Sequence, residues 1–375
     1  MSRIPKEQIF VKEAISEYES IRPGYKAFEV KMKALVAELI ENKKIKIHTL
    51  ESRTKSIGSF HEKITRPGKR YNDPINELSD LIGLRVITYY MDDVPLICDL
   101  FKEEFHVYSE ECIDKQVGYN ANEFGYISVH LVISLKEPRS KLPEWTLFAG
   151  KKVEVQVRTV LQHSWAAISH ALQYKHENDV PDALKRRLFR LAGLFELVDE
   201  EFIAIRDRHL EIQKKVSLDF DNDDQIILID AITIIEFIKR SEYLELVTEF
   251  AIHNGYQLDQ SDEDFISIIA KECERLGINT IEDLERAITK DVDVYKRFLQ
   301  VAKGKSTSPW YVSKSFLLYM LIINAYLNHF SQKYLVTEYE WGPDIAQRVL
   351  DAAAESKKIA KTKNRAGRTR PRKPN

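Results

Sequence analysis

Cysteine is scarce in this sequence, because its 375 residues contain only Cys98, Cys112 and Cys273, and these form no CxxC pair. Three isolated thiols exclude a disulfide-stabilised scaffold and indicate a reducing compartment. The N-terminal segment MSRIPKEQIF lacks the apolar core of a signal peptide. The longest apolar stretch, residues 316–330, is interrupted by asparagines and is shorter than the ~18 residues that a membrane span needs. We therefore expect a soluble, cytoplasmic protein with no membrane partner.

Net charge is also nearly absent, at −2, but the basic residues are unevenly placed. Residues 356–375 carry nine Lys or Arg and no acid, so the rest of the chain sums to −11. This segment has too few apolar residues to pack, which predicts a disordered basic tail over residues 356–375. Such a tail either keeps the protein soluble or contacts RNA, and its composition leaves both possibilities open.

Hydrophobic periodicity predicts an α+β domain over residues 1–216. Two helices are expected within residues 10–50, with a break at Arg22-Pro23-Gly24. Three strand-like runs follow, at residues 84–90, 126–135 and 152–160. Helical segments lie between and after these runs, at residues 92–105, 161–175 and 181–215.

The composition changes at residues 217–225, SLDFDNDDQ, which predict an acidic linker. Residues 226–355 contain only helical patterns, such as DAITIIEFIKR, and predict a separate all-helical domain. A domain with so many amphipathic helices has to bury their apolar faces against itself or a partner. Because the linker is short, we expect this domain to contact the α+β domain and to restrain its activity.

Two polar patterns in the first domain predict a phosphate-binding site. If residues 53–63 are helical, Lys55, Ser59 and Lys63 share one face, with Arg53 at its start. Asp80 comes just before an apolar strand that carries Arg85, an arrangement typical of a metal ion beside a phosphate. Each pattern alone also fits an ordinary solvated surface.

The second and third strands each have one polar and one apolar face. Tyr126, Ser128 and His130 alternate with apolar residues in one strand. In the other strand, alternation separates the three valines from the polar side chains of Glu154, Gln156 and Arg158. Two strands with an aromatic, an imidazole, a carboxylate and a guanidinium on one face favour a working site over a plain solvated sheet.

Five blocks, in order, resemble the synthetase domain of the RelA/SpoT family of alarmone synthetases. They are RTKSIGSFHEK at 53–63, DLIGLR at 80–85, GYISVH at 125–130, EVQVRT at 154–159 and HSWAAISH at 163–170. The resemblance covers roughly residues 15–215. It implies a nucleotidyltransferase-like α+β fold on a mixed sheet. It also implies an ATP-dependent pyrophosphokinase that transfers the β,γ-diphosphate of ATP to the 3′-hydroxyl of GTP or GDP, making (p)ppGpp.

The resemblance implies a role for each matching residue. Asp80 is expected to bind the Mg²⁺ cofactor. Glu154 is expected to be the second catalytic carboxylate, which either helps to hold the metal or accepts the proton of the acceptor hydroxyl. The residues expected on the ATP side are Arg53, Lys55, Ser59, Lys63 and Arg85. The residues expected around the acceptor are Tyr126, which stacks on its base, together with His130, Lys115, Gln156 and Arg158.

The acceptor remains open at the level of sequence. Many family members have a basic residue four positions before the stacking tyrosine, where this chain has Asn122, although Lys115 lies upstream. The alternative is a fused toxin–antitoxin enzyme that pyrophosphorylates the 3′-CCA end of tRNA. No hydrolase domain precedes the synthetase blocks, so we expect synthesis of the product without its degradation. Whether His163 and His170, on one face of a predicted helix, contact the acceptor is also left open.

Overall fold

The computed structural model describes residues 6–114, 128–172, 182–222, 225–259, 265–289, 292–303 and 310–368. The chain divides into two units, Met1–Arg208 and His209–Asn375. In the first unit the described strands are β1 (Ile47–Thr54), β2 (Ile82–Thr88), β3 (Phe105–Val107), β4 (Ile113–Asp114), β5 (Val129–Leu135) and β6 (Val153–Thr159). Its described helices are α1 (Lys6–Asn42), α2 (Ile57–Ile64), α3 (Pro74–Glu77), α4 (Asp93–Glu104), α5 (Val160–Leu172) and the start of α6 (Asp182–Phe220).

The strands form one mixed sheet in the order β1-β2-β6-β5-β3, with β4 also paired to β5. The β2–β6 pair is parallel, whereas β1–β2, β5–β6, β3–β5 and β4–β5 are antiparallel. This sheet, combined with helices, confirms the predicted α+β class of the first domain. Its core lies on one face, where the valines of β6 and the alternate apolar residues of β2 and β5 pack against α1 and α4.

Strand β1 was not predicted, because two of its core-facing side chains, Ser52 and Thr54, are polar. Glu29 of α1 is buried below β1, and its carboxylate accepts hydrogen bonds from Ser52 (2.7 Å) and Thr54 (2.6 Å). Lys26 pairs with the same carboxylate at 2.8 Å. These bonds satisfy a buried charge that would otherwise be costly. The strand therefore packs on α1 without the apolar alternation that identifies a strand in a sequence.

The predicted break at Arg22-Pro23-Gly24 is wrong, since α1 runs unbroken through Pro23. A proline inside a helix leaves the carbonyl four residues earlier without its donor. Here that carbonyl belongs to Glu19, an exposed residue that water can reach. Tyr18 before the proline and Tyr25 after it are both buried in the same core, so packing continues across the interruption.

The helix predicted over residues 53–63 is shorter than expected. Ser56 caps α2 in an extended conformation and accepts a hydrogen bond from the Ser59 backbone N–H, so the helix begins at Ile57. Lys55 therefore lies in the turn after β1 and does not share a helix face with Ser59 and Lys63. The apolar side of the prediction is confirmed, because Phe60 and Ile64 are buried.

The second unit is mostly helical, with its own apolar core. Its described helices, beyond the end of α6, are α7 (Ala231–Arg240), α8 (Glu242–His253), α9 (Ile266–Leu276), α10 (Ile281–Ile288), α11 (Val292–Lys303), α12 (Lys314–Ala325), α13 (Gln332–Tyr339) and α14 (Pro343–Arg368). The all-helical prediction is wrong in one respect, since β7 (Tyr256–Leu258) pairs in parallel with β8 (Trp310–Val312). Two three-residue strands so far apart in the sequence leave no local periodicity to detect.

The expected linker and tail are also more ordered than predicted. Helix α6 continues to Phe220, and Arg240 holds the helix end through Ser217 and Asp221. Helix α14 extends to Arg368, well inside the predicted disordered tail of 356–375. Its Ser356 side chain is buried, and Lys357 donates to the carbonyl of Ala325, so the tail's first residues belong to the packed helix.

In the part of the chain that is described, no helix has the length and apolar character to cross a membrane.

Candidate active site

A row of polar residues crosses the sheet on the face opposite the apolar core. Glu51 of β1 is in register with Arg85 of β2, Arg85 with Gln156 of β6, and Gln156 with His130 of β5. Glu154 lies two residues before Gln156 and therefore on the same face. The register thus brings together side chains from four strands that are far apart in the sequence.

These side chains form a continuous chain of polar contacts. Arg85 contacts Glu51 Oε2 through Nη1 (3.4 Å) and donates from Nε to Gln156 Oε1 (3.3 Å). Gln156 in turn donates from Nε2 to Glu154 Oε1 (2.9 Å). The same Glu154 oxygen lies 3.3 Å from Nδ1 of His130. The amide of Gln156 thereby links a guanidinium to a carboxylate and fixes the orientation of both.

Glu154 is held in its ionised form. The hydrogen bond with His130 lowers the pKa of Glu154 to about 2, against burial, which raises it, and with further help from Gln156 and the charge of Lys63. A carboxyl group with such a pKa carries a full negative charge near neutrality and is a weak base. It is therefore better suited to hold a cation than to take up a proton.

Asp80, just before β2, is bound by two lysines. Lys55 Nζ lies 2.8 Å and Lys63 Nζ 2.5 Å from Oδ2 of Asp80. Helix α1 fixes Lys55, because the hydroxyl of Tyr18 and Nε of Arg22 both donate to its backbone carbonyl. The other oxygen of Asp80, Oδ1, is buried and has no hydrogen-bond partner among the described residues.

Asp80 and Glu154 line the same small cavity, together with Glu51, Arg53, Arg85 and Gln156. Mg²⁺ prefers oxygen ligands and is commonly bound by one or two carboxylates plus substrate phosphates. The free Oδ1 of Asp80 and the ionised Glu154 fit such an ion. The described residues contain no group of three or more His, Cys, Asp or Glu side chains that would hold a metal without substrate.

An adjoining cleft of about 610 Å³ is large enough for a nucleotide. Residues of the polar row and Arg158 of β6 line it, together with His163 and His170 of α5. Burial lowers the pKa of His163, and the charge of Arg158 lowers it further, while Glu51 opposes the shift. Both histidines face the cleft, since both line it. The lowered pKa favours the neutral form of His163, in which one ring nitrogen can accept a hydrogen bond.

The structure brings together most residues proposed from the sequence. Those that line one or both cavities are Arg53, Asp80, Arg85, His130, Glu154, Gln156 and Arg158. Lys55 and Lys63 join them through Asp80, whereas Ser59 is exposed and pairs with Ser56. Tyr126 and Lys115 lie outside the described residues. The sequence interpretation missed Glu51, although its position two residues before Arg53 would have placed both on one face of a recognised strand.

Comparison with known proteins identifies the family of the first unit. Residues 52–179 match the family model described as a region found in RelA / SpoT proteins. The chain is 31% identical over 176 residues to GTP pyrophosphokinase YjbM of Bacillus subtilis, covering 46% of this chain and 77% of that protein. It is 28% identical over 161 residues to GTP pyrophosphokinase YwaC of the same organism, covering 42% and 73%. The crystal structure of small alarmone synthetase 1 from Bacillus subtilis matches 52% of this chain and 98% of its own, with 26% identity and a TM-score of 0.44. The match to YjbM, at 31% identity over 77% of that protein, shows that the chain belongs to the RelA/SpoT family of pyrophosphotransferases.

Proposed function

We propose that the first unit transfers the β,γ-diphosphate of ATP to the 3′-hydroxyl of GTP or GDP and so makes (p)ppGpp. The observation that carries the proposal is the shared cavity, in which two carboxylates, Asp80 and Glu154, lie beside the guanidinium groups of Arg53 and Arg85. Family membership and the two GTP pyrophosphokinases among its relatives support the same reaction.

The reaction forms one bond and breaks one. The 3′-oxygen of the acceptor bonds to the β-phosphorus of ATP, and the bond between that phosphorus and the oxygen of the α-phosphate breaks. AMP leaves with the electron pair, and the hydroxyl proton is released. Phosphoryl-type transfers of this kind depend mainly on positioning and on neutralising the charge of the phosphates.

The residues of this chain supply both contributions. Arg53 and Arg85 offer planar guanidinium groups, which bind phosphates in pairs of hydrogen bonds and stack on aromatic bases. Lys55 and Lys63 bring two further cations to the same end of the cavity. Mg²⁺, when bound by Asp80 and Glu154, would neutralise charge on the transferred phosphates. We assign Glu154 to the metal and not to the proton, because its lowered pKa makes it a weak base.

We further propose that the acceptor occupies the cleft between the polar row and α5. Arg158 and His163 line that cleft. His130 lines it as well and contacts the carboxylate of Glu154. Tyr126, four residues before His130, would provide the ring on which the acceptor base stacks.

The products distinguish this reaction from ordinary kinase or hydrolase chemistry. Purified protein with ATP, Mg²⁺ and GTP should release AMP and a guanosine pentaphosphate in equal amounts, with neither formed when GTP is left out. Release of ADP, or of AMP without a phosphorylated acceptor, would contradict the proposal.

A further inference from the structure

Glu51 is a carboxylate in the site that the proposed reaction does not use. It lines both the cavity that holds Asp80 and the adjoining cleft. Its side chain is 45% exposed, so it is accessible to a ligand. Since the rest of this side of the cleft is cationic, with Arg53 and Arg85, an acid here needs a separate explanation.

The contact with Arg85 leaves Glu51 with capacity to bind something else. Among the described residues only Oε2 is engaged, at 3.4 Å from Nη1, which is at the long end of the hydrogen-bond range. An ionised carboxylate has about four lone-pair sites, and one such contact uses only part of them. The backbone register fixes the position of Glu51 directly opposite Arg85 on the neighbouring strand.

The chemistry of a carboxylate restricts which part of a nucleotide can lie against it. Phosphates are repelled by it, and metal binding is better served at Asp80, whose second oxygen is free. The remaining donors of a purine nucleotide include the N–H groups of the base. A base that stacks on the planar guanidinium of Arg85 or Arg53 would bring its edge next to Glu51.

We propose that Glu51 accepts a hydrogen bond from the amino group of a purine base and thereby selects the base. The base is either the adenine of the donor, through its 6-amino group, or the guanine of the acceptor, through its 2-amino group. The inference rests on the proposed diphosphate transfer between these two nucleotides. Glu51 is then a specificity residue and takes no part in the bond-making step.

Base analogues that lack one amino group test this role directly. In one arm, kcat/KM for ATP is compared with that for purine riboside triphosphate, which lacks the 6-amino group, with GTP as acceptor. In the other arm, GTP is compared with ITP, which lacks the 2-amino group, with ATP as donor. The proteins are the wild type, Glu51→Ala, Glu51→Gln and a control, Glu104→Ala, which breaks a Glu–Arg pair with Arg139 outside the site.

In whichever arm tests the base that Glu51 contacts, the wild type and the control should prefer the amino-bearing nucleotide by about tenfold or more. This ratio is expected for a hydrogen bond to a charged group. Glu51→Ala should bring that ratio close to one in the same arm. Glu51→Gln should keep part of the preference, because the amide oxygen still accepts a hydrogen bond.

Two results would overturn the inference. One is a wild type that does not discriminate in either arm. The other is a Glu51→Ala variant that keeps the wild-type ratio in both arms, even if its activity falls, because Glu51 would then act only through Arg85. Failure of the wild type to transfer diphosphate from ATP to GTP would instead contradict the proposed function. Equilibrium binding of the same nucleotides and analogues would still test Glu51 in that case.

Discussion

Lys55 lies 2.8 Å from one carboxylate oxygen of Asp80, and both side chains are shielded from water, being 9% and 17% exposed. The lysine holds Oδ2, while Oδ1 is buried without a hydrogen-bond partner in the described part of the chain. Burying an unpaired carboxylate oxygen is costly unless a ligand satisfies it. The pair therefore leaves Oδ1 of Asp80 free to bind the cation that we propose there.

Replacing Asp80 by asparagine should lower diphosphate transfer by at least about 10²-fold, the scale of losing a positioned charge at a reaction centre. The isosteric amide keeps an acceptor for Lys55, so the fold should be retained. Steady-state kinetics with circular dichroism on the same sample measure both effects. Asp99→Asn, which removes an exposed carboxylate paired with Lys102, is the control and should behave as wild type. Turnover by the Asp80 variant close to that of the wild type would remove Asp80 from the site.

Glu154→Gln should change how stability responds to acid. The pKa of Glu154 is lowered from 4.5 to about 2 in the folded chain. Its stabilising contribution is therefore present above about pH 4.5 and is lost as the pH falls toward 2. The unfolding free energy of the wild type should fall more steeply across this range than that of the variant. Urea denaturation at several pH values measures the two slopes, and parallel slopes would contradict the lowered pKa.

Asp199 should show the opposite dependence on pH. It is 2% exposed, and burial raises its pKa to about 6, against the hydrogen bond from Thr159 (2.8 Å). A folded state that binds the proton more tightly loses stability as the pH rises from about 3.8 through 6. Asp199→Asn removes this loss and keeps an acceptor for Thr159. The difference in unfolding free energy between the variant and the wild type should therefore increase, in favour of the variant, by about 1–3 kcal/mol from about pH 4 to pH 7. An equal difference at pH 4 and pH 7 would show that the pKa of Asp199 is not raised in the folded chain.

Tyr126→Ala should weaken acceptor binding by roughly tenfold or more, because stacking of a base on an aromatic ring contributes about 1–3 kcal/mol. The KM for ATP should change less than the KM for the acceptor. Tyr126→Phe keeps the ring and should be mild. If the phenylalanine variant is as impaired as the alanine variant, the hydroxyl matters and stacking is not the role of Tyr126.

Sequence patterns predicted β2, β5 and β6 of the first unit and missed β1 and the two short strands β3 and β4. The alternation around Val155 in β6 identifies a strand with one buried face. Strand β1 has no such signal, because Ser52 and Thr54 face the core and are satisfied by the buried Glu29. A carboxylate supplied by a distant helix cannot be inferred from the local period of the strand.

The same distinction applies to the site. The family resemblance assigned Asp80 and Lys63 to one site, and the structure pairs their side chains, although the helix assumed for Lys55 was wrong. Glu51 was missed together with β1, since its position in the site depends on the strand's register with β2. The residue types of the site could be recognised from the sequence. The long-range pairing of the strands, which brings those residues together, could not.

The transfer of an intact diphosphate to a guanine nucleotide is the central claim, and a competition experiment tests it most directly. Wild-type protein is given ATP labelled in both the β- and γ-phosphates, Mg²⁺, GTP and bulk tRNA together, and the products are separated. The proposal predicts that both labels appear in a guanosine pentaphosphate, with unlabelled AMP in equal amount, and that the Asp80→Asn variant forms neither. Labels found in tRNA and absent from the guanine nucleotide would contradict it, as would transfer of the γ-label alone.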